Sequence, residues 1–464
     1  MNDDPSKTQF KSFLISPPVR ERMEKMGPTD RIPVIITLVE VDKGPVQGVT
    51  VSKKNVEDFL TARGYVIDQG DNKGDPQKKV RESDFYIFAN LTREDIEALA
   101  NLREWVYRVW LDQKTYTHLL DSVNTLKAFA CWRTFEARGE GITWAVLDTG
   151  IRSDHPHFQG ILNTDLSRNY SNAPTIEDVN GHGSHVAGII SGKAPEKASG
   201  AEPYKAATFV EEQDEPQLVD LHGVPSGIAP LATLVNVKVL DDDGTGSASA
   251  AILGLEYLRK LNQNSRAMKV DGCNMSLGYP FDPRWYGCGH SPLCEEVQRA
   301  IDSGMVVVIS CGNSGYGSVK LDTGEQVPVS IGQSITDPAN AEDAIAVGSV
   351  HKSKPHTYGV SYFSSKGPTG DGRRKPDVVA PGEKIISCSI HTDRGYQYEE
   401  RSGTSMAAPH VSGAIAAFLS VHPEFRGNPH KIKEIFKESA TDLGRSADFQ
   451  GAGIIDLMRA IMSV

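Results

Sequence analysis

Ile142-Thr143-Trp144-Ala145-Val146-Leu147-Asp148-Thr149-Gly150 is the stretch on which the fold turns. Its first six residues are apolar or β-branched at successive positions, so a strand built from them has no polar face to offer water. Such a strand belongs in a parallel sheet covered on both sides. Leu234-Val235-Asn236-Val237-Lys238-Val239-Leu240 and Met305-Val306-Val307-Val308-Ile309 repeat the pattern with helical stretches between them. That alternation predicts an α/β fold, a mostly parallel sheet flanked by helices on both faces.

Ahead of Gly141 the texture differs. Residues 1–30 carry mixed charge, a Pro17-Pro18 pair and little periodicity, and read as a tail with one short helix. From Arg31 a strand (Pro33 to Val39), a helix (Val56, Phe59 and Leu60 on its apolar face), a strand (Asp84 to Asn90), a capped helix (Thr92-Arg93-Glu94-Asp95, then Ile96, Leu99 and Leu102) and a last strand (Val106 to Leu111) follow in turn. This is the order of a small α+β sandwich of the split βαβ type over residues 31–118. The larger α/β domain takes residues 119–464, interrupted at 193–223 by an Ala-, Pro- and Glu-rich insertion with the acidic cluster Glu211-Glu212-Gln213-Asp214-Glu215, read as a solvated loop without chemistry.

The chain has 464 residues, enough for more than one core. A formal net charge of −11 argues against a grip on nucleic acid, which needs clustered cations. No run of about 18 consecutive apolar residues points to a membrane span, and the start lacks a basic segment followed by an apolar one. The expectation is a cytoplasmic protein. Its six cysteines are then expected to be reduced. Cys288 and Cys294, around a Gly- and Pro-containing loop, read as free loop thiols, with pairing or metal binding as alternatives.

Three motifs fall where such a sheet delivers functional groups. Asp148 follows a strand directly. Gly181-His182-Gly183-Ser184-His185-Val186-Ala187-Gly188 begins a helix with small residues, and Gly403-Thr404-Ser405-Met406-Ala407-Ala408-Pro409-His410 sets a serine at a Gly-led turn into an apolar helix. A serine hydroxyl is a poor nucleophile near neutral pH unless a base takes its proton and a third group holds that base in one tautomer. Asp148, His182 and Ser405 are the required types.

Asp, His, Ser is also the chain order of subtilisin. With Val224-Pro225-Ser226-Gly227-Ile228-Ala229-Pro230, Asn274-Met275-Ser276-Leu277-Gly278, Ser310-Cys311-Gly312-Asn313, Phe363-Ser364-Ser365-Lys366-Gly367-Pro368 and Lys375-Pro376-Asp377-Val378-Val379-Ala380-Pro381-Gly382, the chain from about Leu120 onward resembles the subtilisin family of serine peptidases. The resemblance implies a serine endopeptidase acting on polypeptides through an acyl-enzyme, with no cofactor required for the chemistry. It makes Asp148, His182 and Ser405 the catalytic triad, Asn313 the oxyanion donor with the Ser405 N–H, and His185 a structural histidine. Substrate is implied to pair as a strand with Gly244-Thr245-Gly246 and Ser276-Leu277-Gly278, with Asn180 nearby. Ala248 stands where many relatives place an aromatic residue, so the distal subsite is expected to be wide.

The N-terminal sandwich resembles the family's propeptide, an intramolecular inhibitor and folding chaperone, and the resemblance sets self-cleavage near Leu119-Leu120. Many relatives hold a structural calcium through an acid shortly after the catalytic aspartate. Here His157 stands at that position, which puts the site in doubt, while Asp154 and the acids of the insertion offer a substitute. Two rival readings remain: an acyl transferase or peptide ligase using the same acyl-enzyme, and a catalytically silent peptide-binding protein. Partition of a peptide ester between hydrolysis and aminolysis separates the first from a peptidase; the presence of all four groups speaks against the second.

Overall fold

The computed structural model describes residues 14–27, 29–39, 45–68, 78–112, 121–198, 201–209, 215–221, 223–264, 266–322 and 324–464. The chain divides into two compact units, Met1–Tyr116 and Thr117–Val464.

The first unit is a five-stranded sheet: β1 (Arg31–Leu38), β2 (Val66–Ile67), β3 (Lys79–Glu82), β4 (Tyr86–Thr92) and β5 (Val106–Leu111), in the order β2-β3-β4-β1-β5. β1 lies antiparallel to both β4 and β5, as a split βαβ arrangement requires. Alternation places Ile32, Val34, Ile36 and Leu38 on the buried face, against Val56 and Leu60 of the helix Pro45–Ala62. Thr92 caps the helix Arg93–Leu99, its hydroxyl oxygen accepting from the Asp95 N–H at 3.3 Å. The segment expected as a tail is part of this unit: Leu14, Ile15, Val19 and Met23 join its core, the last two from the helix Pro17–Glu24. The one short helix expected there is Pro17–Glu24; its two inward apolar residues, Val19 and Met23, are too few for periodicity to reveal that the segment packs into this core.

The second unit carries β6 (Thr143–Asp148), β7 (Arg168–Asn169), β8 (Tyr204–Thr208), β9 (Gln217–Leu221), β10 (Thr233–Lys238), β11 (Gly272–Met275), β12 (Val306–Ser310), β13 (Tyr316–Lys320), β14 (Gln326–Ser330), β15 (Ile345–His351), β16 (Val378–Glu383), β17 (Ile385–Cys388) and β18 (Tyr398–Arg401). Seven of them form one parallel sheet in the order β16-β15-β12-β11-β6-β10-β7. Both faces are covered. Trp144, Val146, Val306 and Val308 pack on the side of the helices His182–Ile190 and Thr404–Val421, while Ala145, Leu147, Val307 and Ile309 pack on the side of Ala248–Leu261 and Pro292–Asp302. The helix Thr404–Val421 is long and apolar enough to cross a membrane, but most of it is buried in this core.

After the edge strand β7 the chain returns to β10 on one side of β6 and then crosses to β11 on its other side. The carboxyl end of β6 is therefore a switch point, where open parallel sheets leave a crevice. The insertion at 193–223 is not a bare loop. It contributes the antiparallel pair β8 and β9, which joins β18 and β17 in a four-stranded sheet and buries Ala206 and Leu221. Glu211, Glu212, Gln213 and Asp214 lie outside the described residues, and Glu215 is exposed. All six cysteines are free and buried; Cys294 sits in the first turn of Pro292–Asp302, where burial pushes its thiol up to about 12.

Candidate active site

Each chemically important side chain sits at an element end facing the switch point. Asp148 is the last residue of β6, His182 the first of its helix, and Ser405 the second of Thr404–Val421. They share a cleft of about 620 Å³ whose walls include His182, Asn313, Ser405, Asn180, Gly244, Thr245, Gly246, Ser276, Leu277 and Gly278, with Asp148 wholly buried behind His182. The helix start can approach β6 so closely because Gly183 has no side chain; a Cβ there would collide with the Gly150 carbonyl.

His182 Nδ1 lies 2.7 Å from Asp148 Oδ1. A carboxylate only accepts, so the ring carries its proton on Nδ1 and presents a bare Nε2 when neutral. Burial works against charging the ring, but the charge of Asp148 and its hydrogen bond outweigh burial and the repulsion of Arg401, and His182 is raised above 6.5. His185 is a different group. Its Nε2–H donates to the backbone oxygens of Ile385 (3.1 Å) and Glu399 (3.0 Å), and burial with nearby Arg401 holds it well below its ordinary value. It is a buried anchor between β17 and β18.

Ser405 lies in the first turn of its helix, where the helix dipole favours negative charge. Four residues on, Pro409 has no N–H to give the Ser405 carbonyl. The Ser276 hydroxyl fills that vacancy, donating to Ser405 O at 2.8 Å, while the Ser405 hydroxyl donates to the Ser276 carbonyl at 3.3 Å. Asn313, three residues beyond β12, is oriented without ambiguity: its Oδ1 accepts from the Thr404 N–H (2.9 Å) and hydroxyl (3.0 Å). The side-chain amide therefore keeps its donating edge free of that contact and available to the cleft.

Asp178 is the important group the sequence reading missed. Wholly buried, it accepts from the Thr149 hydroxyl (2.9 Å) and from the N–H groups of Gly181 (2.8 Å) and Ser184 (2.8 Å), so it caps the His182 helix and ties it to the residue after Asp148. An acid four positions ahead of the histidine was the available signal. The cleft walls also include Leu240, Ala248, Ala251 and Leu293.

The residues near a family calcium position do not suit a hard cation, which takes six to eight oxygens. His157 is buried, its Nδ1 3.2 Å from the Tyr398 hydroxyl, and burial with nearby His155 holds it down at about 3. Asp154 is engaged by Arg152 at 2.6 and 3.2 Å. Leu119 and Leu120 lie outside the described residues.

Comparison with known proteins gives a consistent set of likenesses. The model of the subtilase family matches residues 139–454. The chain is 32% identical over 339 residues to serine protease AprX of Bacillus subtilis, covering 70% of this chain and 66% of that protein. It is 32% identical over 326 residues to the major intracellular serine protease of the same organism, covering 69% and 81%. An intracellular serine protease of Paenibacillus polymyxa is 30% identical over 358 residues, covering 76% and 89%.

Proposed function

Because this chain belongs to the subtilase family and is a serine endopeptidase, we propose that Ser405, His182 and Asp148 are its catalytic triad and Asn313 its oxyanion donor. The observation that carries this is the 2.7 Å contact of His182 Nδ1 with buried Asp148 in the one cleft that also holds Ser405 and Asn313.

A peptide lying along Gly244-Thr245-Gly246 on one side and Ser276-Leu277-Gly278 on the other brings its carbonyl to Ser405. The hydroxyl turns from Ser276 O to His182 Nε2, which takes its proton as the oxygen attacks. The resulting imidazolium is stabilised by Asp148, and the oxyanion accepts from the Ser405 N–H and Asn313 Nδ2. His182 then gives its proton to the leaving amine, and water repeats the sequence on the acyl-enzyme. No metal or cofactor takes part in these steps.

The pH profile follows from the raised value of His182. Protonated, the ring is no base, so activity is lost as pH falls through the raised value and is complete above it. The midpoint of the acid limb of kcat/KM is expected above 6.5; a midpoint below that sinks the assignment of His182 as base. Asn313→Ala is expected to lower kcat about 10²–10³-fold with little change in KM, the scale known from subtilisin. Steady-state kinetics on a peptide anilide measures both, and a change confined to KM would argue for binding alone.

The first unit, a split βαβ sandwich, supports a role as intramolecular inhibitor, released by a cut close to Leu119. Cytoplasmic action is supported by the two relatives whose names call them intracellular. Alanine at 248 and 251 in the cleft wall supports acceptance of bulky side chains four residues before the scissile bond. Incubation of wild type and Ser405→Ala with casein tests the function directly.

A further inference from the structure

His182 has two unlike sides. On one, Asn180 turns to the substrate edge: its amide donates to the Asp242 carbonyl at 3.4 Å, and a Cβ on Gly244 would lie 3.0 Å from its Nδ2. The walls of the cleft on this side hold, among the described residues, no Lys, Arg, Asp or Glu. On the other side, the space that a side chain on Gly181 would fill is taken by Ile390 and by Arg401, whose Nη2 would lie 2.9 Å from a Cβ there. Gly181 immediately precedes His182, and its φ of 93° suits a glycine. Arg401 is thus packed beside the histidine without belonging to the cleft walls.

Its guanidinium is held in place. Arg401 ends β18, in register with Ile385 of β17, and the chain runs from it directly into the turn that carries Ser405. Buried Glu399 accepts from Nε at 2.7 Å and pairs with Nη2 at 2.6 Å, while its second oxygen accepts from the Ser389 hydroxyl at 2.9 Å. Nη1 is in neither bond, and the side chain stays 27% exposed. A planar guanidinium fixed along one edge keeps its remaining N–H groups aimed for another carboxylate. Its charge also reaches the ring, since Arg401 is one of the groups that oppose protonation of His182.

The reaction decides which part of a substrate meets this group. The acyl part lies along Gly244-Thr245-Gly246 and Ser276-Leu277-Gly278. The leaving part begins at the amine that His182 protonates and runs on past the histidine, away from those walls. Resting on that reading of the cleft, we propose that Arg401 is a specificity residue for the leaving part, selecting polypeptides with Asp or Glu within the two residues after the scissile bond. A carboxylate there accepts from Nη1, and a Lys or Arg there is repelled. The uncharged walls give the acyl part no such charge preference.

The test uses quenched fluorescent peptides that share one acyl part and differ only in the two residues after the scissile bond, which carry Asp or Glu, the matching amide, or Lys. A peptide anilide, which has no residue beyond the scissile bond to meet Arg401, is the control, and all are read at a pH above the acid limb. Wild type is expected to favour the acid over the amide about fivefold in kcat/KM, the scale of a partly exposed ion pair, and the amide over Lys. Arg401→Gln is expected to abolish that order and Arg401→Lys to keep its direction, with anilide hydrolysis retained in both. Because Arg401→Gln leaves the Glu399 carboxylate buried without its partner, Arg401→Gln/Glu399→Gln is made beside it and is expected to show the same loss of preference. A wild type indifferent to charge at both positions overturns the proposal, as does a preference that survives in both Gln variants. An equal fall on every substrate, the anilide included, overturns it in favour of a structural role. An anilide that wild type does not cleave sinks the reading of the cleft; one cleaved without any acid preference in the peptides sinks the role of Arg401 alone.

Discussion

Ser405→Ala is expected to lower turnover of a peptide substrate about 10⁶-fold, the scale known for the nucleophile of subtilisin. The loss is chemical and not structural. The Ser405 hydroxyl makes one 3.3 Å hydrogen bond, to Ser276 O, whereas the backbone of the turn is held by the Ser276 hydroxyl on Ser405 O at 2.8 Å. Alanine removes the first and keeps the second, so the variant folds with its cleft formed. Fluorophosphonate labelling is expected to vanish with the activity, while an unchanged melting temperature shows the fold intact. Release of the first unit, if it is self-cleavage, stops as well. Casein hydrolysis within tenfold of wild type would remove Ser405 from the mechanism.

Asp148→Asn is expected to cost about 10⁴-fold in turnover near neutral pH, the scale known for the equivalent change in a serine protease triad. Asp148 Oδ1 accepts from both His182 Nδ1 (2.7 Å) and the Thr149 N–H (2.8 Å). An amide of the same shape fits the site but brings two donors. If its NH₂ group turns to the ring, Nδ1 must accept and the proton moves to Nε2, where it blocks the base. If its oxygen stays, the imidazolium formed during attack has lost its counter-charge. Either way the acid limb moves to lower pH, because burial and Arg401 both disfavour the charged ring and Asp148 no longer opposes them. A loss below tenfold, or a limb that stays in place, would show that Asp148 does not act through His182.

The sequence was readable where a local pattern has one physical meaning. Strands β6 and β12 are apolar on both faces because helices cover both, and that shows as an unbroken apolar run. The Gly-led helix starts at His182 and Ser405 announce themselves because only small residues let a helix begin against a sheet. Elsewhere the local pattern is ambiguous. β9 buries only Leu221, and β8 buries Tyr204, Ala206 and Ala207 without a regular alternation, so the segment reads as loop until β18 is placed beside it. The short helix Pro17–Glu24 was legible, but its place in the core of the first unit was not. Asp178 is an ordinary loop acid until its carboxylate is seen receiving four donors, the Thr149 hydroxyl and the N–H groups of Asn180, Gly181 and Ser184.

By itself the sequence determined the kinds of groups present, their chain order and the elements that carry them, since these depend on residue chemistry and short-range periodicity. The family motifs already set His182 apart from His185; the tertiary structure supplied the contact of His182 with Asp148 and the anchoring of His185 on Glu399, and it alone decided that Asn313 turns its carbonyl to Thr404 and its amide edge free, and that His157 lies among aromatic rings. The reason is the strand order. Residues far apart in the chain meet only because β10 and β11 settle on opposite sides of β6, and the crevice this leaves at its carboxyl end fixes which groups face one another.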